Sequence, residues 1–102
     1  MRVALRRGRR GEARLAISAL HAIPRVKHVF IVDDDVDVFS EEQMEWAMAT
    51  RFRAASDIVI ATGYPGFYMD PTRDENGLVD KAGFDLTAPY GIPDTIETRR
   101  PR

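Results

Sequence analysis

An apolar run that ends in a cluster of carboxylates constrains the fold of this chain most strongly. Val29 to Val32 are apolar without alternation. Four aspartates follow: Asp33, Asp34, Asp35 and Asp37. A continuous apolar run is typical of a strand in a parallel sheet that is covered on both faces. Because open α/β folds carry their sites beyond the carboxyl ends of such strands, we expect a strand over Val26 to Val32 that delivers carboxylates to a functional edge.

A first helix is predicted before this strand. From Glu12 onward, apolar residues recur at helical spacing: Ala13, Ala16, Ile17 and Leu20. Pro24 ends the helix at or just before Ile23, since the residue before a proline avoids the α region.

A second helix is predicted after the acidic run. Ser40 to Gln43 read SEEQ, in which Ser40 caps the helix and Gln43 completes a capping box. The helix should extend to about Arg53. Its buried stripe is Met44, Ala47, Met48 and Arg51/Phe52.

Two more strands complete the expected sheet, a short one over Arg2 to Leu5 and another over Asp57 to Ala61. One helix separates the Val26–Val32 and Asp57–Ala61 strands, which predicts a β-α-β unit with a right-handed crossover. After Gly63 the chain should be irregular. The sequence therefore indicates the α/β class, as a small layered domain with a short, mainly parallel sheet and two principal helices.

Size, charge and residue usage exclude several functional classes. The 102 residues suit one small domain, and a net charge of −1 gives no general attraction to nucleic acid or to anionic membranes. With no cysteine, the chain has no disulfides and no thiolate metal ligands. No apolar run approaches the roughly 18 residues of a membrane helix. We therefore expect a cytoplasmic protein without nucleic-acid or membrane partners, whose arginine-rich ends are solvated or contact a partner subunit.

The acidic run is compatible with several kinds of site. An EF-hand calcium loop is excluded, because Val38 stands where glycine is needed and Met44 where a bidentate glutamate is needed. A phospho-receiver domain is disfavoured, since the Asp57–Ala61 strand is followed by no carboxylate that could accept phosphate.

Two interpretations of the aspartates remain. Asp33-x-Asp35 fits the local pattern by which nucleotide-sugar transferases hold a divalent cation. Alternatively, the aspartates cap turns, accept backbone hydrogen bonds or pair with arginines. The residues themselves name no chemistry beyond this point.

A resemblance covers most of the chain, from about Gly11 to Gly91. The stretch Val26 to Phe52, VKHVFIVDDDVDVFSEEQMEWAMATRF, resembles the C-terminal domain of the UbiD-type decarboxylases. Three shorter pieces match in the same order: GEAR at Gly11 to Arg14, MDP at Met69 to Pro71, and KAGFDLTAPYG at Lys81 to Gly91.

The resemblance implies a role in adding CO2 to, or removing it from, aromatic or α,β-unsaturated acids. Such enzymes use prenylated FMN with a divalent metal and potassium, held in a domain that precedes the matched region. This chain is therefore expected to bind no cofactor or metal alone and to carry no catalytic residue. It would be a small subunit or C-terminal domain that works with a larger cofactor-binding chain in a homo- or hetero-oligomer. The alternative is a free-standing assembly module that binds no substrate.

The resemblance also suggests roles for particular residues. Phe67 and Met69 are the substrate-pocket candidates, although they could instead pack on the small core. A structural or interface role is expected for eight residues: Asp33, Asp34, Asp35, Asp37, Trp46, Arg51, Lys81 and Asp85. Arg51 should reach an aspartate of the cluster. The domain should span residues 1–91, with an extended or disordered tail over 92–102.

Overall fold

The computed structural model describes residues 1–6 and 12–87, and within them four strands and three helices. The strands are β1 (Arg2–Leu5), β2 (Val29–Asp33), β3 (Ile58–Pro65) and β4 (Leu78–Leu86). The helices are α1 (Glu12–His21), α2 (Glu41–Thr50) and the short α3 (Ala54–Asp57). The predicted α/β class with two principal helices is confirmed. The proposed tail and the end of the 1–91 domain lie outside the described residues.

The four strands form one mixed sheet in the order β1-β2-β4-β3. β1 and β4 both pair with β2 in parallel, whereas β3 pairs with β4 in the antiparallel direction. The predicted β-α-β unit of the Val26–Val32 and Asp57–Ala61 strands is therefore wrong. β3 does not neighbour β2, because β4, which the sequence pattern did not reveal, lies between them.

β4 escapes sequence reasoning because its alternate positions carry residues that rarely fill a buried strand face. Lys81 and Gly83 both point toward the buried side that faces α1. A Cβ on Gly83 would collide with the Ile17 side chain of α1. Glycine is thus required there by the close approach of helix and sheet, although it weakens the strand signal.

The core lies on both faces of β2, as the continuous apolar run predicts. On the α1 side, Val29 and Ile31 are fully buried. On the α2 side, Val32 packs with residues of the following loop and helix and with the end of β4: Val36, Met44, Ala47 and Leu86. Burying one such side chain stabilises the fold by roughly 1.5–3 kcal/mol, so β2 supplies the centre of the core.

The helices begin close to where the sequence predicts and end earlier. Ser40 Oγ caps α2 by accepting a hydrogen bond from Gln43 N at 3.2 Å. The Gln43 side chain reaches back, but it accepts from Asp37 N at 2.7 Å instead of closing the capping box on Ser40 N. α2 ends at Thr50, and α3 begins where the helix was expected to finish. In residues 12–87, no helix is both long enough and apolar enough to cross a membrane.

β3 extends past the point where irregular chain was expected. Gly63 adopts a φ of 74°, and the pairing register shifts between Ala61 and Tyr64. The strand then continues to Pro65. A proline is tolerated there because β3 is an edge strand, whose outer side needs no ladder donor.

Candidate functional site

The carboxyl ends of the three parallel strands meet at one edge of the sheet. Leu5 pairs with Asp33, and Val32 pairs with Leu86. This edge therefore brings the acidic run after β2 next to the end of β4, as expected for the functional edge of an α/β sheet.

Arg51, which caps the carboxyl end of α2, is the centre of this edge. Its guanidinium binds both Asp35 oxygens, with Nη1–Oδ1 and Nη2–Oδ2 distances of 3.0 and 2.9 Å. Nη1 also lies 3.4 Å from Asp33 Oδ2. Arg51 and Asp33 are only 2% and 3% exposed. The sequence expectation that Arg51 reaches an aspartate matches this geometry.

Trp46 completes the arrangement from the same helix. Its ring lies 4.7 Å from the Arg51 guanidinium carbon, and the ring itself is half-buried. A cation held between two carboxylates and an aromatic face is electrostatically satisfied even where water is excluded. The network fixes the joint between β2 and α2.

The four aspartates do not converge on one ligand position. Asp34 is exposed, and Asp37 Oδ1 accepts a hydrogen bond from Phe39 N at 2.9 Å in the turn before α2. Over residues 1–6 and 12–87, no group of three or more histidines and carboxylates is placed to hold a metal ion. The D-x-D interpretation needs Asp33 and Asp35 as cation ligands, yet both contact Arg51.

Lys81, for which a structural or interface role is expected, lies buried in the domain. It is 2% exposed, and its Nζ donates to the carbonyl oxygens of His21 at 2.9 Å and Ile23 at 3.1 Å. The Tyr64 ring centroid lies 5.3 Å from Nζ. Lys81 thus caps the carboxyl end of α1, where a cation is favoured by the helix dipole. Burial lowers the pKa of Lys81.

His21 shares this buried position. It is 1% exposed, and its Nε2 has no hydrogen-bond partner among the described residues. Burial lowers the pKa of His21, and the nearby positive charge of Lys81 acts in the same direction. The imidazole is therefore held neutral beside a buried ammonium.

The loop between β3 and β4 carries the proposed pocket residues and is anchored by Lys27. Lys27 Nζ contacts Asp70 Oδ2 at 2.9 Å and Thr72 Oγ1 at 2.6 Å. Asp70 Oδ1 also accepts from Thr72 N at 2.8 Å. The hydrogen bond from Lys27 holds the pKa of Asp70 well below its usual range, with further help from Thr72.

Phe67 and Met69 lie on this anchored loop in different environments. The Arg25 guanidinium carbon lies 4.9 Å from the Phe67 ring centroid, and Phe67 is half-buried. Met69 is 68% exposed, and its neighbour Tyr68 is 70% exposed. The loop therefore presents an aromatic and a thioether side chain outward from a fixed base.

Asp85 lies near the end of β4, where its Oδ1 accepts a hydrogen bond from Thr87 N at 3.0 Å. It ends the strand in a short turn. Sequence reasoning assigned no role to Lys27 or His21. Each acquires its partners from residues more than 40 positions away, which a local pattern does not reveal.

Comparison with known families identifies the family of this chain. The family model described as the 3-octaprenyl-4-hydroxybenzoate carboxy-lyase C-terminal domain, UbiD_C, matches residues 1–86. The chain belongs to the UbiD family. The UbiD_C match includes all three parallel strands and the Arg51 network.

Related UbiD-family proteins are decarboxylases. The anhydromevalonate phosphate decarboxylase of Methanothermobacter thermautotrophicus is 40% identical over 93% of this chain. That of Aeropyrum pernix is 43% identical over 85%. The phenolic acid decarboxylase of Sedimentibacter hydroxybenzoicus is 36% identical over 78%.

Solved UbiD-class structures share the fold of this domain. The enzyme HmfF of Pelotomaculum thermopropionicum, in complex with FMN, matches 98% of the chain with a TM-score of 0.79 and 36% identity. The vanillic acid decarboxylase of S. hydroxybenzoicus matches 90% in both its open and closed forms, with TM-scores of 0.74 and 0.73. The chain spans only 22% of the HmfF chain and 23% of the M. thermautotrophicus enzyme.

One cavity at the carboxyl end of α2 has few donors available for a flavin phosphate. It has a volume of about 470 Å³ and is lined by Arg51, Arg53 and Ser56 among others. Arg51 is bound to Asp33 and Asp35, and the Ser56 hydroxyl donates to Asp57. With Arg51 and Ser56 engaged inside the domain, a flavin phosphate in this cavity would rely mainly on Arg53.

Proposed function

We propose that this chain is the C-terminal domain or small subunit of a UbiD-class carboxy-lyase that acts on an aromatic or α,β-unsaturated acid. It completes the substrate cleft of a larger chain that binds prenylated FMN with its divalent metal and potassium. In this proposal the chain itself supplies no catalytic residue and works in the cytoplasm within a homo- or hetero-oligomer.

The observation that carries the proposal is the UbiD_C match over residues 1–86 together with the small share of each relative that it covers. A chain that equals about a quarter or less of a working decarboxylase needs the remainder for catalysis. The alternative, an assembly module that binds no substrate, rests on the same match. It differs only in that the β3–β4 loop would not contact substrate.

The β3–β4 loop supports the substrate-side role. Phe67 and Met69 offer a flat aromatic face and a polarisable thioether, which suit a planar apolar acid. The Lys27–Asp70 ion pair, at 2.9 Å, anchors the base of this loop. Because a preorganised loop loses less conformational entropy when a ligand binds, more of the interaction free energy appears as affinity.

The equal likeness to open and closed vanillic acid decarboxylase is consistent with a domain that moves as one rigid unit. With TM-scores of 0.74 and 0.73, the domain is proposed to move against the larger chain without deforming.

Co-expression with the larger chain tests the proposal. The complex is purified, weighed by native mass spectrometry and scanned for flavin absorbance. Its CO2 release is then assayed on a panel containing anhydromevalonate phosphate, gallate and vanillate. We expect a stoichiometric flavin-bearing complex that is active only when this chain is present.

Loop variants separate the two alternatives. Phe67→Ala should raise KM or lower kcat without changing the mass of the complex, whereas the control Leu15→Ala, on the exposed side of α1, should change neither. Activity that is unaffected by Phe67→Ala would favour the assembly module. A chain that purifies alone, colourless and without a partner, would reject the decarboxylase role.

A further inference from the structure

An open apolar groove lies between α2 and the amino ends of β1 and β2. Its floor is formed by Phe30, Met44, Met48 and Ala49, and its volume is about 460 Å³. Met44 is buried, Met48 and Phe30 are half-buried, and Ala49 is exposed. This α2 groove lies away from the Arg51 network and from the β3–β4 loop.

The rim of the α2 groove is charged and net negative. Arg2, Glu41 and Glu45 line it. Arg2 is already engaged, since its Nη1 and Nη2 contact the two Glu41 carboxylate oxygens at 2.8 and 2.9 Å. Glu45 therefore supplies the net charge of the rim.

An exposed phenylalanine projects beside the same rim. Arg2 Nη1 donates to the carbonyl oxygen of Val38 at 3.1 Å, which places the Val38–Phe39 turn next to the groove. Phe39 is 91% exposed. A protruding aromatic beside an apolar groove, both rimmed by charge, is a typical pattern of a protein interface.

We propose that the α2 groove and Phe39 form the docking surface for the larger, cofactor-binding chain, which inserts an apolar side chain flanked by lysine or arginine. The inference rests on the proposed function and adds the surface and the chemistry of the contact. The basic flank follows from the net negative rim, because complementary charge steers association and fixes its register.

The course of the chain supports this occupant. The matched family domain is a C-terminal one, so the rest of each long relative precedes β1. β1 begins at the groove: Met1 N donates to the His28 carbonyl oxygen at 2.8 Å, and Arg2 lines the rim. In a longer enzyme, the segment that leads into β1 would therefore pass close to this groove.

Single cysteines test the surface, because the chain has none of its own. Ala49→Cys reports on the groove. Leu15→Cys, 71% exposed on α1 across the sheet, is the control. Maleimide labelling of this chain is followed by mass spectrometry, alone and in the co-expressed complex. In the complex, we expect labelling at position 49 to slow by at least about tenfold, since a covered thiol reacts only when the interface opens. Labelling at position 15 should be unchanged.

A pair of charge changes on one helix tests the chemistry of the partner. Glu45→Lys reverses the rim charge, whereas Glu42→Lys makes the same change at an exposed α2 position that does not line the groove. Glu45→Lys should weaken the complex more than Glu42→Lys, and the difference should shrink at high salt.

The outcomes separate this inference from the proposed function. A complex that forms with flavin and activity while position 49 labels as fast as position 15 would overturn the docking surface and leave the proposed function standing. Failure to form any complex would overturn both. In that case, concentration-dependent protection of position 49 in the isolated chain would assign the groove to a second copy of this chain.

Discussion

Arg51 holds a permanent positive charge where almost no water reaches it, between two carboxylates and the face of Trp46. Such a group is stable only while its partners remain, because a buried carboxylate without its cation carries a large desolvation cost. The network is therefore an all-or-none feature of the β2–α2 joint.

Replacing Arg51 with methionine should remove the cation while keeping most of the side-chain volume. We expect Arg51→Met to lower the free energy of unfolding by roughly 3–5 kcal/mol, since Asp33 stays buried without its partner. The measurement is urea denaturation at pH 7, with exposed Arg53→Met as the matched control. Adding Asp33→Asn and Asp35→Asn to Arg51→Met should restore part of the loss. Equal midpoints for Arg51→Met and Arg53→Met would contradict the assignment.

His21 should make the domain sensitive to mild acid. Burial lowers its pKa in the folded protein, so the unfolded chain, with a histidine pKa near 6.5, binds the proton more readily. Stability contributed by neutral His21 is therefore complete above about pH 6.5 and is lost as the pH falls toward the folded-state pKa. The groups facing His21 are Lys81 on β4, Tyr64 on β3 and His28.

Urea midpoints at pH 7.5 and 5.5 check this dependence. His21→Gln should reduce the difference between the two midpoints, whereas His28→Gln, at an exposed position, should leave most of it. An unchanged difference in His21→Gln would mean that other groups cause the acid sensitivity.

At the residue scale, the sequence predicts ion pairs better than buried cations. Arg51 stands near the end of a capped helix that follows four aspartates, and that proximity was sufficient to anticipate the contact. The sequence does not indicate that Lys81 is buried, because lysine is rarely found in a protein interior. Its environment comes from the carbonyl groups of α1, 60 residues away, and no local pattern encodes that approach.

α1 and β4 approach each other closely at Gly83. Because a Cβ at Gly83 would strike Ile17, we expect Gly83→Ala to destabilise the domain by about 1–3 kcal/mol through overpacking. Ile17→Ala alone should cost roughly 2–5 kcal/mol through its cavity. The double variant should lose less stability than the sum of the two single losses, because the new methyl group occupies part of that cavity. Strict additivity in thermal or urea unfolding would argue against the contact.

The Lys27 anchor should control the β3–β4 loop without controlling the fold. Lys27→Met removes the donor to Asp70 and Thr72. Hydrogen exchange in residues 67–73 should accelerate while the unfolding midpoint changes little, since a partly exposed ion pair contributes only about 1 kcal/mol to global stability. Glu75→Gln, at an exposed position of the same loop, is the control. Unchanged exchange in Lys27→Met would show that the loop is held by other contacts.

At the element scale, periodicity and caps predicted both long helices, β1, β2 and most of β3. The same patterns did not predict the order of the strands in the sheet. The helix between β2 and β3 suggested a parallel crossover, whereas β3 instead turns back on β4 as an antiparallel neighbour. β4 was not predicted, because its charged residues and its glycine are unusual in a buried strand of nine residues.

For the whole molecule, the proposed partnership has a thermodynamic consequence. A larger chain that binds only the folded domain stabilises it by mass action, by about 2.7 kcal/mol at a hundredfold excess over Kd. The thermal midpoint of this domain should therefore rise with partner concentration. Glu45→Lys should reduce that rise more than Glu42→Lys does. A midpoint independent of partner concentration would count against association.

Over residues 1–6 and 12–87, both edge strands of the sheet are short. β1 has four residues, and the register shift after Ala61 leaves β3 with four regular residues, Ile58 to Ala61, before Gly63 and Pro65. Neither edge offers a foreign strand the six or so regular residues that a cross-β contact requires. We therefore expect these edges to resist fibril growth, so that a preparation of the isolated chain should remain free of thioflavin-binding aggregates.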